Sequence, residues 1–192
     1  MIGLVLAGGA GVRMGGNKPF QPHGGSTLID RVIERLSPQV DGVWINAGAA
    51  GHPLSDALSE LGLPLVYDDA DWAALGPLSG VLSGLLAAQA ANAEALITAP
   101  CDMPNLPPDM VAQLVAARRK TGAEIVHFRG ERDYPLCALW SVEVVPALRI
   151  ALQTAKSQGG LSVFRFLQTQ KTMTISVTDE LAFLNVNYLD KS

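Results

Sequence analysis

The most constraining feature of this chain is the way its first apolar run ends. Ile2-Gly3-Leu4-Val5-Leu6 passes without a break into Ala7-Gly8-Gly9-Ala10-Gly11-Val12-Arg13-Met14-Gly15-Gly16-Asn17-Lys18, and seven of the chain's 19 glycines lie between residues 7 and 25. A short continuous apolar run bounded by glycine reads as a strand buried on both faces. Glycines placed straight after such a strand let backbone N–H groups converge on an anion, because no Cβ blocks its approach. Arg13 is suited to gripping two phosphate oxygens at once, and Lys18 adds a mobile point charge. The segment reads as a phosphate loop; the plainer alternative is a flexible glycine-rich loop with incidental charges. Spacing excludes two familiar loops. A dinucleotide fingerprint beginning at Gly9 needs glycine where Met14 stands. A Walker A loop beginning at Gly11 finds Asn17 where lysine belongs and Pro19 where a hydroxyl should hold the metal.

Short apolar runs alternate with longer amphipathic stretches through the rest of the chain, the pattern of βαβ units in an α/β fold with a mostly parallel sheet. Strands are expected at 2–6, 42–46, 64–67, 95–98, 124–127 and 136–140, with two short ones near 172–177 and 183–187. Helices are expected at 26–36, capped by Ser26 or Thr27, and at 53–61, 77–90, 107–119, 143–153 and 160–168. Right-handed crossovers between parallel strands put the carboxyl ends of all strands on one edge, where open sheets bind their ligands. The polar residues at those ends are therefore the candidates: the 7–18 loop, Asn46, Asp68, Asp69 and Asp102.

With 192 residues the chain suits a single domain, 1–192. The 48% hydrophobic and 17% charged content is that of a globular protein, and the net charge of −4 argues against broad nucleic-acid binding. No apolar stretch approaches the ~20 residues needed to span a bilayer, and residues 1–6 lack a basic leader, so a cytoplasmic, membrane-free protein is expected. Cys101 and Cys137 each sit in an apolar run and read as buried small hydrophobes rather than a disulfide.

Pro100-Cys101-Asp102-Met103-Pro104 follows the fourth strand and places one carboxylate between two prolines. Mg²⁺ takes only one or two carboxylates and completes its octahedron with phosphates and water, so Asp102 is the candidate metal ligand; the alternative is a cap for the helix after Pro107. Asp68-Asp69 offers a carboxylate able to accept both N1–H and N2–H of guanine, or else forms a solvated acidic loop. Gly76-Pro77-Leu78-Ser79-Gly80 follows, where two glycines would let a helix N-terminus approach a ligand. Asn185 and Asn187 alternate and would share one face of a strand, and Gly130-Glu131-Arg132-Asp133-Tyr134-Pro135 is a charged turn that either borders an acceptor site or is solvated. His23, His52 and His127 have no metal-ligand spacing and receive no role.

In this order and over nearly the whole chain, Leu6 to Lys18, Gly76 to Gly80, Pro100 to Pro104 and Asn185 to Asn187 resemble the molybdenum cofactor guanylyltransferases. Residues 130–135 are similar to that family too, while the stretch between Met14 and the lysine is one residue shorter than in some members. The resemblance implies a Rossmann-like, three-layer nucleotidyltransferase fold and transfer of GMP from GTP to molybdopterin, with release of pyrophosphate. It implies GTP contacts from Leu6, Ala7, Gly8, Gly9, Lys18, Asn46, Asp69 and Asp102, and Mg²⁺ held by Asp102. Catalytic roles fall to Arg13, Lys18 and Asp102, the first two neutralising charge on the departing pyrophosphate. Residues 1–104 would mainly bind nucleotide and 105–192 mainly the acceptor, with other molybdenum cofactor biosynthesis proteins and acceptor molybdoenzymes as further partners. The rivals are a cytidylyltransferase or sugar-phosphate nucleotidyltransferase, and a GTP-binding module without turnover.

Overall fold

A computed structural model describes residues 1–9, 17–73, 75–158 and 160–186. Its strands are β1 (Ile2–Leu6), β2 (Pro22–His23), β3 (Ser26–Thr27), β4 (Gly42–Ala49), β5 (Leu65–Asp68), β6 (Ala95–Pro100), β7 (Ile125–Arg129), β8 (Asp133–Ser141) and β9 (Thr172–Ser176). Its helices are α1 (Leu28–Leu36), α2 (Ser55–Ser59), α3 (Pro77–Ala90), α4 (Met110–Thr121), α5 (Val145–Ala155) and α6 (Val163–Leu167). Seven strands form one sheet in the order β5-β4-β1-β6-β8-β7-β9, and β2 and β3 form a separate small hairpin.

Alternation along β1 shows why the chain makes three layers. Leu4 points into a core with Leu78, Leu82 and Leu85 of α3 and Leu148 and Leu152 of α5, while Val5 points into a core with Ile29, Val32 and Leu36 of α1 and Leu114 of α4. A central strand with no exposed face must be apolar throughout, and Leu4 and Val5 are fully buried. α1 starts at Leu28 because Thr27 caps it: the Thr27 hydroxyl accepts from Asp30 N, and the Asp30 carboxylate accepts from Thr27 N, both at 3.3 Å. α3 starts behind Gly76, whose φ of 103° belongs to glycine, with Pro77 in its first turn.

The sequence expectations need correction in three places. The strands do not all run one way: β8 is antiparallel to both β6 and β7. Only residues 130–132 separate β7 from β8, too few for a crossover helix, so the chain turns back on itself. The helix placed at 107–119 begins only at Met110, because Pro107 accepts from Met110 N in a turn. Residues 183–186 are not a strand. Asp179 caps a short 3-10 helix at Glu180–Phe183 by accepting from Leu181 N, and Phe183 is drawn into the core against Phe128 and Tyr134, with ring centroids 4.7 and 5.0 Å away. Asn187 and Arg13 lie outside the described residues.

Candidate functional site

β1, β4, β5 and β6 run parallel, so their last residues share one edge. A cavity of about 550 Å³ opens there. Leu6, Ala7, Gly8 and Gly9 leave β1 along one side, Asn46 and Asp68 face it from β4 and β5, and Pro100, Cys101 and Asp102 enter it from β6. Lys18 and Pro19 close over it from the far end of the glycine-rich loop. The strand ends are stitched together beneath the opening, where Ala7 N donates to Asn46 O at 3.0 Å and Cys101 N donates to Leu6 O at 3.2 Å. The backbones also touch: a Cβ on Gly8 would lie 2.0 Å from Gly48 N, so only glycine fits there.

Asp102 is the electrostatic centre. Its Oδ2 is paired with the Lys18 ammonium and accepts from Asn185 Nδ2 at 2.5 Å. Lys18 Nζ is also 3.4 Å from Asn185 Oδ1, and Val186 N donates to Asp102 O at 3.2 Å, so the segment after the last 3-10 turn is tied to the end of β6. Asp102 Oδ1 is buried and accepts no hydrogen bond among the described residues. An orphaned carboxylate oxygen in a buried position is costly unless a cation or donor arrives from outside. Among the described residues there is no group of three or more His, Cys, Asp and Glu side chains fit to hold a metal. A hard cation that uses one protein carboxylate and fills its shell with phosphate and water suits this donor set.

The second centre lies across the cavity. Asn46 is buried; its Nδ2 donates to Asp68 Oδ1 at 2.8 Å and to Val66 O at 3.2 Å. Burial raises the Asp68 carboxyl above its usual range, partly offset by hydrogen bonds from Asn46 and Ser83. Gly76, Pro77 and Gly80 at the start of α3 also line the cavity, and Gly80 makes room for this pair: a Cβ there would sit 2.4 Å from Asn46 Oδ1. Asp69 is placed differently from its neighbour. It is exposed, does not line the cavity, and its carboxylate accepts from Asp71 N at 2.8 Å, closing the turn that leads to Trp72.

The wall furthest from Asp68 comes from β8. Between the pairs His127–Ala138 and Phe128–Tyr134 the register shifts, leaving Pro135, Leu136 and Cys137 without opposing residues on β7. This bulge delivers Leu136 to the cavity. It is pinned from β6: Thr98 Oγ1 donates to Leu136 O at 2.7 Å and accepts from Trp140 Nε1 at 2.8 Å, with Thr98 and Trp140 fully buried. The charged turn at 130–135 lies at the same edge, where Glu180 accepts from Glu131 N at 2.7 Å and from Tyr134 Oη at 2.5 Å. Burial and the Glu180 carboxylate push the Tyr134 hydroxyl up to about 12. Cys101 and Cys137 are buried free thiols, and burial holds Cys101 up at about 12, as inert small hydrophobes require.

Leu6, Ala7, Gly8, Gly9, Lys18, Asn46 and Asp102 are thus brought together around one cavity, with Asp69 outside it and Asp68 inside. Sequence reasoning missed His52 and Leu136, which also line it. His52 arrives by the turn after β4 and Leu136 by a bulge, and neither leaves a spacing signal. Asn185 carried a weak signal only, because its partner Asp102 is 83 residues away.

A family model described as the MobA-like NTP transferase domain matches residues 3–172. A molybdenum cofactor guanylyltransferase from Cereibacter sphaeroides is 42% identical over 188 residues, covering 97% of this chain and 91% of that protein. Among solved structures, molybdopterin-guanine dinucleotide biosynthesis protein A from Archaeoglobus fulgidus superposes with a TM-score of 0.77 at 22% identity, over 97% of this chain and 92% of that one. A Mycobacterium tuberculosis protein solved in complex with manganese shares the fold at a TM-score of 0.64 and 16% identity, over 92% of this chain and 87% of that one. A cavity whose base is formed by four parallel strand ends, together with a family match over most of its length, places the chain among the enzymes of the nucleotidyltransferase class, and it belongs to the MobA-like NTP transferase family.

Proposed function

We propose that the chain transfers GMP from GTP to molybdopterin, forming a molybdopterin guanine dinucleotide and releasing pyrophosphate. The observation that carries it is the polarity of the cavity. A lysine-paired carboxylate with an orphaned oxygen stands at one end, and a second carboxylate, held by Asn46, stands at the other. A nucleoside triphosphate has the same polarity, with phosphates that need cations and a base that needs hydrogen bonds. Guanine supplies N1–H and N2–H as a donor pair, which a carboxylate accepts. Asp68 is the residue that faces the base, and Asp69 shapes the rim by closing the turn beside it.

The family uses a divalent cation, and we assign Mg²⁺ here, with Asp102 Oδ1 as its protein ligand. When bound, it would supply positive charge to the phosphates. Leu6 to Gly9 offer backbone to the triphosphate, and Lys18 moves from Asp102 toward the departing pyrophosphate, whose charge it shares with Arg13 in neutralising. The terminal phosphate of molybdopterin attacks the α-phosphorus, a bond to the bridging oxygen breaks, and pyrophosphate leaves with both electrons of that bond. A phosphate nucleophile is already anionic, so positioning and charge neutralisation supply the acceleration and no strong base is needed. Residues 1–104 carry the nucleotide half and 105–192 the acceptor half, with the acceptor lying toward Leu136. Other molybdenum cofactor biosynthesis proteins and acceptor molybdoenzymes are its expected contacts. No helix among the described residues is long and apolar enough to cross a membrane, and we place the enzyme in the cytoplasm.

The test is turnover with purified molybdopterin, Mg²⁺ and each nucleoside triphosphate. Pyrophosphate release with GTP that depends on both acceptor and metal is the expected result. Release with CTP at equal efficiency would make the enzyme a cytidylyltransferase. GTP binding without turnover would leave only a binding module.

A further inference from the structure

The cavity contains one ring that the transfer reaction leaves without a task. His52 sits on the turn between β4 and α2 and lines the same cavity as Asp68. Its backbone is held at both ends: His52 N donates to Ala49 O at 3.0 Å, and Ser55 N donates to His52 O at 2.9 Å. Its ring is held too, because Nδ1 accepts from Leu54 N at 3.3 Å. A neutral imidazole that accepts at Nδ1 carries its proton on Nε2. The turn therefore fixes the tautomer and leaves an Nε2–H donor. Among the described residues that donor has no protein partner.

A donor and a carboxylate in one cavity match the edge of a single base. Guanine presents an acceptor at O6 beside the donors N1–H and N2–H. Adenine and cytosine present an amino group where O6 stands and an acceptor where N1–H stands, so both contacts would be mismatched. Uracil matches at two positions but turns O2 toward the carboxylate. We propose that His52 is a specificity-determining residue that donates from Nε2 to O6 of guanine while Asp68 accepts from N1–H and N2–H. This rests on the guanylyl reading and adds to it the group that reads position 6. Without such a donor, one carboxylate separates guanine from adenine on half of the edge only; with it, the wrong base leaves buried polar groups unpaired on both sides, which is how hydrogen-bonding sites achieve strong rejection.

Two analogues separate the contacts. 6-Thio-GTP differs from GTP only at position 6, where sulfur is a weaker acceptor, and ITP differs only by loss of the 2-amino group. Equilibrium binding of all three, with CTP as control, is measured for the wild type, His52→Ala and His52→Gln. The wild type should prefer GTP over 6-thio-GTP. His52→Ala should lower GTP affinity by about tenfold, the scale of one good hydrogen bond, and erase that preference while keeping the GTP-to-ITP ratio. His52→Gln keeps an N–H donor and should restore part of the preference. An unchanged GTP-to-6-thio-GTP ratio in His52→Ala, or an equal loss for all three purines, would overturn the assignment and make His52 a scaffold for the turn. Equal binding of CTP and GTP by the wild type is a different result: it removes the guanylyl reading itself, and His52's role with it.

Discussion

Strands β1, β4, β5 and β6 deliver their residues to the cavity by running parallel and stopping at one edge, whereas β8 runs the other way and delivers Leu136 by slipping its register. The first construction is inherited from topology. Asp68 ends β5, Asp102 follows β6, and Asn46 lies on β4 level with Leu6, the last residue of β1, so the three meet there. The second is local and must be braced, and the brace is the Thr98 hydroxyl between Trp140 Nε1 and Leu136 O. The parallel side should therefore tolerate change in the fold while losing chemistry, and the β8 side should lose stability and acceptor recognition together.

The largest effect is expected at Asp102. Asp102→Asn should leave the melting temperature near that of the wild type and cut metal-dependent turnover by roughly 10²-fold or more, the scale of a lost electrostatic contact in the transition state. Wild-type turnover at saturating Mg²⁺ would remove Asp102 from the chemistry. Gly80→Ala should come next. Its Cβ meets the end of a side chain rather than backbone, so the helix survives while Asn46 swings off Asp68. GTP affinity measured by calorimetry should drop about tenfold, or about 1.4 kcal/mol, and an unchanged affinity would show that Asn46 does not orient the base-reading carboxylate.

On the β8 side, Thr98→Val leaves a buried carbonyl and a buried indole N–H unpaired. It should lower unfolding free energy by about 2 kcal/mol and raise the KM for molybdopterin more than that for GTP, with Thr98→Ser close to wild type. A KM effect confined to GTP would erase the distinction between the two sides. The smallest effect concerns pH. Burial raises Asp68, so the folded protein binds that proton more readily than the unfolded chain. The stability contributed by the protonated group is present in full below the ordinary carboxylate value and is lost as pH rises through the raised one. Relative to Asp68→Asn, apo stability should thus rise slightly on acidification through that window, while protection by GTP, which needs the carboxylate, should shrink. Parallel trends in the two melting series would contradict the base-reading role.

The same contrast sets what was legible in the sequence. Buried parallel strands are written as apolar runs, and the residue after each run is the residue at the edge, so the fold and most of the cavity could be read directly. Asp68 and Asp69 are adjacent in sequence, and only the turn closed by the Asp69 carboxylate onto Asp71 N sends one inward and the other out. The direction of β8 depended on three linking residues, and the bulge that exposes Leu136 depended on a hydroxyl one strand away. Asn185 was placed on a strand because Asn-Val-Asn alternates, whereas burial of Phe183 against Phe128 and Tyr134 outweighed that pattern.

The bonds from Asn185 and Val186 to Asp102 have a consequence in time. Every described strand of the main sheet has been translated by Ser176, and Ala182 and Phe183 complete the core only afterwards, so a growing chain owns its sheet first. What it still lacks is the amide that steadies Asp102. A polypeptide halted between residues 176 and 185 would carry the Asp102 carboxylate without its Asn185 partner. The tail is the late fastener of the Asp102 carboxylate.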